Sequence, residues 1–451
     1  MDVGKCFNVV MCAVVAVMIC VVLFMGFRKN PQGKRMYVTL AAMMFMQYAI
    51  WGVYFVTMGS YLGQGLKFEG SDIGNIYSVQ NVAGIISPFL IGLVADRYFS
   101  SEKVVGIMYI LGGAIMYFLS CTVSPTAFLW LFLLYSITYM PTIPLTNAIA
   151  FNQFKDPGAE FPLIRVWGTI GWIVVGLIIG ICTTADGTPY GVTAIPMKIC
   201  CWMSIICGVL AFFLPHTPPK GAGKQVSFAE ILGLRALRLF RDRSFLTFAL
   251  ASCALCIPLA FYYAFTANYL QDVGMESVAA KMTLGQMSEL ICMVLIPFFF
   301  ARLGVKKMLI VGMFAWTARY LSFAFGGMED GGAMMAGLLY LGIILHGVCY
   351  DFFFVTGQIY VEKAAPTEIQ ASAQGLLTFL TYGLGMAIGS VIAGRIVNAY
   401  ETISYTDLGV KVITHNWQAA WLWPGIMAAV IAIVFLFAFK DREGDSKINI
   451  D

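Results

Sequence analysis

The chain has 451 residues, of which 60% are hydrophobic and only 12% charged, with a formal net charge of +4. No water-soluble domain of this length needs so much apolar surface, so a soluble globular protein is excluded. Most of the basic residues lie in loops between apolar runs, where they read as topology signals and not as a nucleic-acid surface.

Apolar runs of about 20 residues, each able to cross a ~30 Å hydrocarbon core, recur along the whole length. Twelve fall between Tyr37 and Phe439, with one more at the start. The expected class is an all-α polytopic membrane protein. Residues 1–35 hold the extra hydrophobic run, Asn8–Gly26, and the basic cluster from Arg28 to Arg35. That cluster prefers the cytoplasm. The run is therefore either an additional helix with its amino end outside, or lies upstream of a translation start near Met36.

Residues 36–214 hold the first six spans, and residues 215–244 form a cytoplasmic link between them and the rest. The link opens on Pro215-His216-Thr217-Pro218-Pro219-Lys220 and continues into an amphipathic basic run, Leu232–Arg238. Such a run suits a helix on the inner membrane surface, or a plain tether. Residues 245–440 hold the second six spans, and 441–451 a cytoplasmic tail. With the link inside, most of the 28 Lys and Arg become cytoplasmic, and only Lys5, Lys67, Lys198, Lys281 and Lys411 lie outside. Both ends of the twelve-helix core are then cytoplasmic.

The two halves repeat at an offset of 209 residues: Pro88 matches Pro297, Arg97 matches Lys306, Tyr54 matches Tyr263, Gly176 matches Gly385 and Gly180 matches Gly389. Six spans per copy is an even number, so both copies enter from the same side, as parallel repeats. This is the plan of the major facilitator superfamily, two six-helix bundles. Gly92-Leu93-Val94-Ala95-Asp96-Arg97, after span two, resembles that superfamily's loop signature, with a degenerate copy at Ala301–Lys307. Asp96 and Arg97 are accordingly candidate gating residues, which lock the halves on the cytoplasmic face; a tight turn with positive-inside residues is the plainer account.

Ionisable groups inside spans cost at least ~2.5 kcal/mol each and mark transport pathways. Glu289 sits midway through span eight, and Gln286, three residues earlier, shares its helix face. The amide supplies donor and acceptor groups for a base edge or sugar hydroxyl; the carboxylate accepts from hydroxyls or exchanges a proton. Asp351 follows Tyr350 in span ten, with His346 four residues before Tyr350, and Asp351 is the preferred proton carrier, with Glu289 the alternative. Arg165 opens span five, Thr169 lies on its face, and Trp172 offers a stacking platform there. Arg319 and Arg395 read as snorkelling or structural. The twelve cysteines include a Cys253–Cys256 pair, but it lies in an apolar helix, and three scattered histidines build no metal site. No metal, cofactor or enzymatic chemistry is expected.

At these residues the chain resembles the bacterial nucleoside:proton symporters. The resemblance rests on Phe161–Gly171, and on the runs Gly59–Leu62, Tyr139–Thr142, Gln286–Glu289, Asp351–Phe353, Val361–Lys363 and Ala371–Gly375, over about Met36 to Lys440. It implies proton-coupled uptake of purine and pyrimidine nucleosides across the inner membrane. It also implies that Arg165, Thr169, Gln286, Glu289 and Asp351 match substrate-site residues. Trp172 and Tyr350 stand where the family has Phe, and His346 stands in place of a Tyr. In span seven, Ala260 and Tyr263 replace an expected Gln/Asn pair, so Tyr263 joins the candidate substrate contacts.

The expected function is alternating-access symport of a nucleoside with a proton by a monomer, within the lipid bilayer. The lost amides leave a sugar or other polyol symporter open. A transport-dead solute sensor is disfavoured by the lack of a soluble output domain.

Overall fold

A computed structural model describes residues 3–29, 33–97, 99–154, 157–218, 234–327, 332–366, 369–406, 409–440 and 448. Over these residues, ten helices are long and apolar enough to cross a membrane, and Ile195–Ala211 is a shorter apolar one. The chain separates into two compact units. Unit 1 comprises residues 1–68, 83–224 and 274–283; unit 2 comprises 69–82, 225–273 and 284–451.

Unit 1 begins with α1 (Val3–Lys29), so the amino-terminal apolar run is helical. Met11 and Val15 are buried, while Val9, Val17 and Phe24 stay exposed, as expected of a helix that presents most of its circumference to lipid. The rest of the unit is α2 (Lys34–Ser60), the part of α3 from residue 83 onward, α4 (Ser101–Ser120), α5 (Pro125–Tyr139), α6 (Thr142–Phe151), α7 (Pro157–Ile181), α8 (Ile195–Ala211) and, further along the chain, residues 274–283. Helix α3 itself runs Gly70–Arg97. Pro141, which has no N–H to give, stands at the break between α5 and α6 and divides span four. One fully buried amide, Gln47, ties the bundle together. Its side-chain oxygen accepts from Tyr109 and its side-chain nitrogen donates to Thr142 Oγ1 at 3.0 Å, while the residue's backbone carbonyl accepts from Tyr139. Helices without a hydrophobic drive between them are held by such polar contacts.

Unit 2 takes in the first part of α3, residues 70–82, and resumes with a basic 3₁₀ turn, Leu234–Arg241, in which Ala236 and Leu239 are buried. The preceding stretch of the link, residues 219–233, lies outside the described residues. Asp242 then caps α9 (Arg243–Asp272), accepting from Phe245 N–H at 2.8 Å. Helix α10 (Val278–Gly326) is 49 residues long and carries two spans of the sequence, divided at Gly304, whose φ of 68° favours glycine.

Span ten is not one helix. It is α11 (Gly332–Ile344), α12 (His346–Tyr350), a π-helical turn (Asp351–Val355) and α13 (Thr356–Ala364). Span eleven repeats the device, with α14 (Gln370–Thr378), a π turn (Phe379–Gly385) and α15 (Met386–Ala399). An antiparallel hairpin, β1 (Glu401–Tyr405) with β2 (Lys411–His415), pairs Glu401 with His415 and leads into α16 (Trp417–Ala438).

Candidate functional site

The candidate residues divide between the units. In unit 1, Arg165, Thr169 and Trp172 all project from α7 and are all half-buried. The Arg165 guanidinium lies 4.0 Å over the ring of Tyr48 on α2, a cation–π contact. Gly168 makes that approach possible, since a Cβ there would run into the Tyr48 ring and the Arg165 Nη1. One turn on, Trp172 meets Trp51 edge-on at 5.5 Å and Phe55 at 6.2 Å, so an aromatic wall continues along the same helix pair.

In unit 2, α10 and the broken span ten bring together Glu289, His346, Tyr350 and Asp351, while Gln286 lies three residues before Glu289 on α10. Gly285 and Gly347 set the spacing. A Cβ on Gly285 would lie 3.2 Å from the Cβ of His346, and one on Gly347 would collide with the Ser288–Glu289 backbone. The Gly347 N–H donates to Ser288 Oγ at 2.9 Å, which pins the helices at that point. As a result His346 Nε2 stands 3.8 Å from Glu289 Oε2.

Asp351 is fully buried, and neither of its carboxylate oxygens has a hydrogen-bond partner among the described residues. It begins the π turn of span ten, a local widening often found at functional positions. Glu289 is near enough to interact with it electrostatically. The Tyr350 hydroxyl bonds to the Tyr382 hydroxyl, which comes from the π turn of span eleven. Tyr263 is half-buried on α9, edge-on to Tyr262 at 5.5 Å.

Two residues of this neighbourhood are absent from the sequence-derived set. Arg319 does not snorkel. It is fully buried, donates through Nη1 to His346 Nδ1 at 2.8 Å, and lies 3.6 Å over the Tyr262 ring. Its signal was available, because it is an intramembrane charge like Arg165. Tyr382 carried none, being one aromatic among 21 tyrosines. The side chains of Asp96 and Arg97 lie outside the described part of the structure. Among the described residues no group of His, Cys, Asp and Glu could hold a metal ion.

Residues 35–444 match the family model described as nucleoside H+ symporter. The chain belongs to the nucleoside H+ symporter family. This symporter is 42% identical to the putative nucleoside transporter YegT of Escherichia coli, over 91% of its own length and 95% of the relative's. It is 30% identical to the Escherichia coli xanthosine permease, over 91% and 97% of the two chains. The crystal structure of the nucleoside transporter NupG superposes with a TM-score of 0.79 at 30% identity, covering 91% of this chain and all of the other. The symporter therefore has the major facilitator fold expected from its repeated halves, and its family function is proton-coupled nucleoside transport.

Proposed function

We propose that the protein imports nucleosides across the inner membrane as a monomer, through alternating access of two bundles, residues 36–214 and 245–440, with the core termini cytoplasmic. Arg165, Thr169, Gln286 and Glu289 hydrogen-bond the base and ribose. Trp172, Tyr263 and Tyr350 offer ring faces to the base, and His346 adds a polar contact beside Glu289. Asp96 and Arg97 fasten and release the cytoplasmic face as the bundles rock.

Asp351 carries the proton in this reading, with Glu289 as the substrate-facing acid. The observation that supports this division is the difference in their surroundings. Asp351 is sealed, with both oxygens unpartnered among the described residues, while Glu289 is 22% exposed and faces an imidazole. A sealed carboxylate without a donor is costly as an anion and tolerable as an acid. Such a group is well suited to load a proton on one side and give it up when the environment changes. One positive charge moved through ~100 mV yields ~2.3 kcal/mol, enough for roughly 50-fold accumulation.

The test uses proteoliposomes loaded with and without a proton gradient. Asp351→Asn should abolish uphill accumulation of radiolabelled uridine while uridine–uridine exchange continues. Undiminished pH-driven accumulation in that variant would transfer the proton role away from Asp351. Competition by adenosine, inosine and free sugars in the same vesicles ranks the substrates.

A further inference from the structure

We propose that Arg319 is a positioning residue: it fixes His346 as a neutral hydrogen-bond donor whose Nε2–H lies beside Glu289, where the two side chains can share one substrate hydroxyl. The inference rests on the substrate site proposed above and adds to it a residue that touches no substrate.

The argument begins with what a guanidinium can do. It carries five N–H donors, has no acceptor, and stays charged in proteins. Arg319 Nη1 lies 2.8 Å from His346 Nδ1, so the imidazole must be the acceptor there and Nδ1 carries no proton. The ring's single remaining proton is then on Nε2. That nitrogen stands 3.8 Å from Glu289 Oε2, too far for a direct hydrogen bond. A hydroxyl seated to the side of the pair, in reach of both, can accept from Nε2–H and donate to the carboxylate.

The surroundings keep the arrangement in place. Tyr262 stacks on the imidazole at 5.2 Å and 25°, and the same ring carries the guanidinium at 3.6 Å. Trp316 and Phe323 add ring faces at 5.4 Å and 5.8 Å. Arg319 and His346 are 0% and 2% exposed, so neither can reorient without unpacking this cage. A buried cation is an expensive way to fill space, which a hydrophobic side chain of similar volume fills at lower cost. Its use here is chemical: with Arg replaced by a neutral residue, the imidazole could carry its proton on either nitrogen.

The chain has only three histidines, so ¹⁵N-imidazole spectra of the full-length protein in nanodiscs are tractable, with His346 assigned by its loss in His346→Gln. The expected wild-type signal is an Nε2-protonated, Nδ1-accepting ring unchanged between about pH 6 and 8. Arg319→Met should introduce the Nδ1-protonated form and raise the KM for uridine about fivefold, with kcat within about twofold. Arg319→Lys, which keeps a donor, should recover much of both. An imidazolium or Nδ1-protonated His346 in the wild type overturns the proposal, and so does an unaltered KM in an Arg319→Met protein whose tautomer has shifted. If Arg319→Met does not fold, the wild-type spectrum and Arg319→Lys decide. Failure of the wild type to accumulate uridine under a proton gradient would instead defeat the symport reading, and leaves the His346 spectrum untouched.

Discussion

Two arginines in this molecule lie over tyrosine rings, at 4.0 Å for Arg165 on Tyr48 and 3.6 Å for Arg319 on Tyr262, yet their surroundings differ. Arg165, in unit 1, is half-buried along an aromatic wall, while Arg319, in unit 2, is fully buried and committed to His346. A cation left partly open keeps donors for a ligand; a sealed one acts through the neighbour it orients. The acids follow the same division of labour, with Glu289 partly open and Asp351 closed. The candidate residues of unit 1 thus offer ring faces and a half-buried cation, whereas those of unit 2 concentrate charge whose geometry must be held. Changes to unit 2 should therefore cost more than changes to unit 1.

The largest cost is expected where the spacing itself is set. Gly347→Val would drive a branched side chain into the Ser288–Glu289 backbone, separating α12 from α10. Overpacking of this kind costs ~3 kcal/mol, so the variant should lose most of its folded yield by size-exclusion chromatography. A well-folded, active Gly347→Val would mean that the helices have slack at this point. Next comes Glu289→Gln, which keeps the shape and removes the charge. Loss of a charge-assisted hydrogen bond predicts a fall of about 100-fold in kcat/KM for uridine, measured as initial uptake. A drop below about threefold would place Glu289 outside the substrate contacts.

How much of this was legible beforehand depended on whether a residue's role was local. The twelve spans followed from hydrophobic length, and Gln286 with Glu289 from helical spacing. Glu289, Asp351 and Arg165 stood out because each is a charge in an apolar run. The pairing of Arg319 with His346 was hidden, since the two are 27 residues apart on different spans and only packing joins them. The π turns at Asp351 and Phe379 were hidden for another reason: they are changes of backbone hydrogen-bond register and leave no compositional mark. Tyr382 was invisible because its role depends on the second of those turns.

The hairpin end of unit 2 supplies a histidine with the opposite neighbours. His415 faces two acids, Asp272 at 2.9 Å and Glu401 at 3.4 Å, and stacks on Trp417 at 4.4 Å. Burial opposes its charge, but the hydrogen bonds to Asp272 and Glu401 win and raise its pKa from 6.5 to about 9. The folded value lies above the unfolded one, so the stabilisation is complete below about pH 6.5 and disappears as pH climbs through about 9. On the order of 3 kcal/mol is at stake. Apparent melting temperatures in detergent should show wild type above His415→Gln at pH 6, with the gap closing by pH 10. A gap that is constant or widens with pH would exclude a charged His415.

The smallest effect is expected on the aromatic wall of unit 1. Trp172→Phe keeps a ring against Trp51 and Phe55, and retains stacking while giving up area and an indole N–H. Stacked aromatic contacts contribute about 0.5–1.5 kcal/mol, and only part of that is lost when one ring replaces another. The KM for uridine should rise about threefold and kcat stay nearly level, since a ring face binds ground state and transition state alike. Trp172→Ala, which removes the face, should raise KM about tenfold. If Trp172→Phe instead matched Glu289→Gln in its loss, the aromatic wall would be as selective as the charged half, and the contrast between the units would collapse.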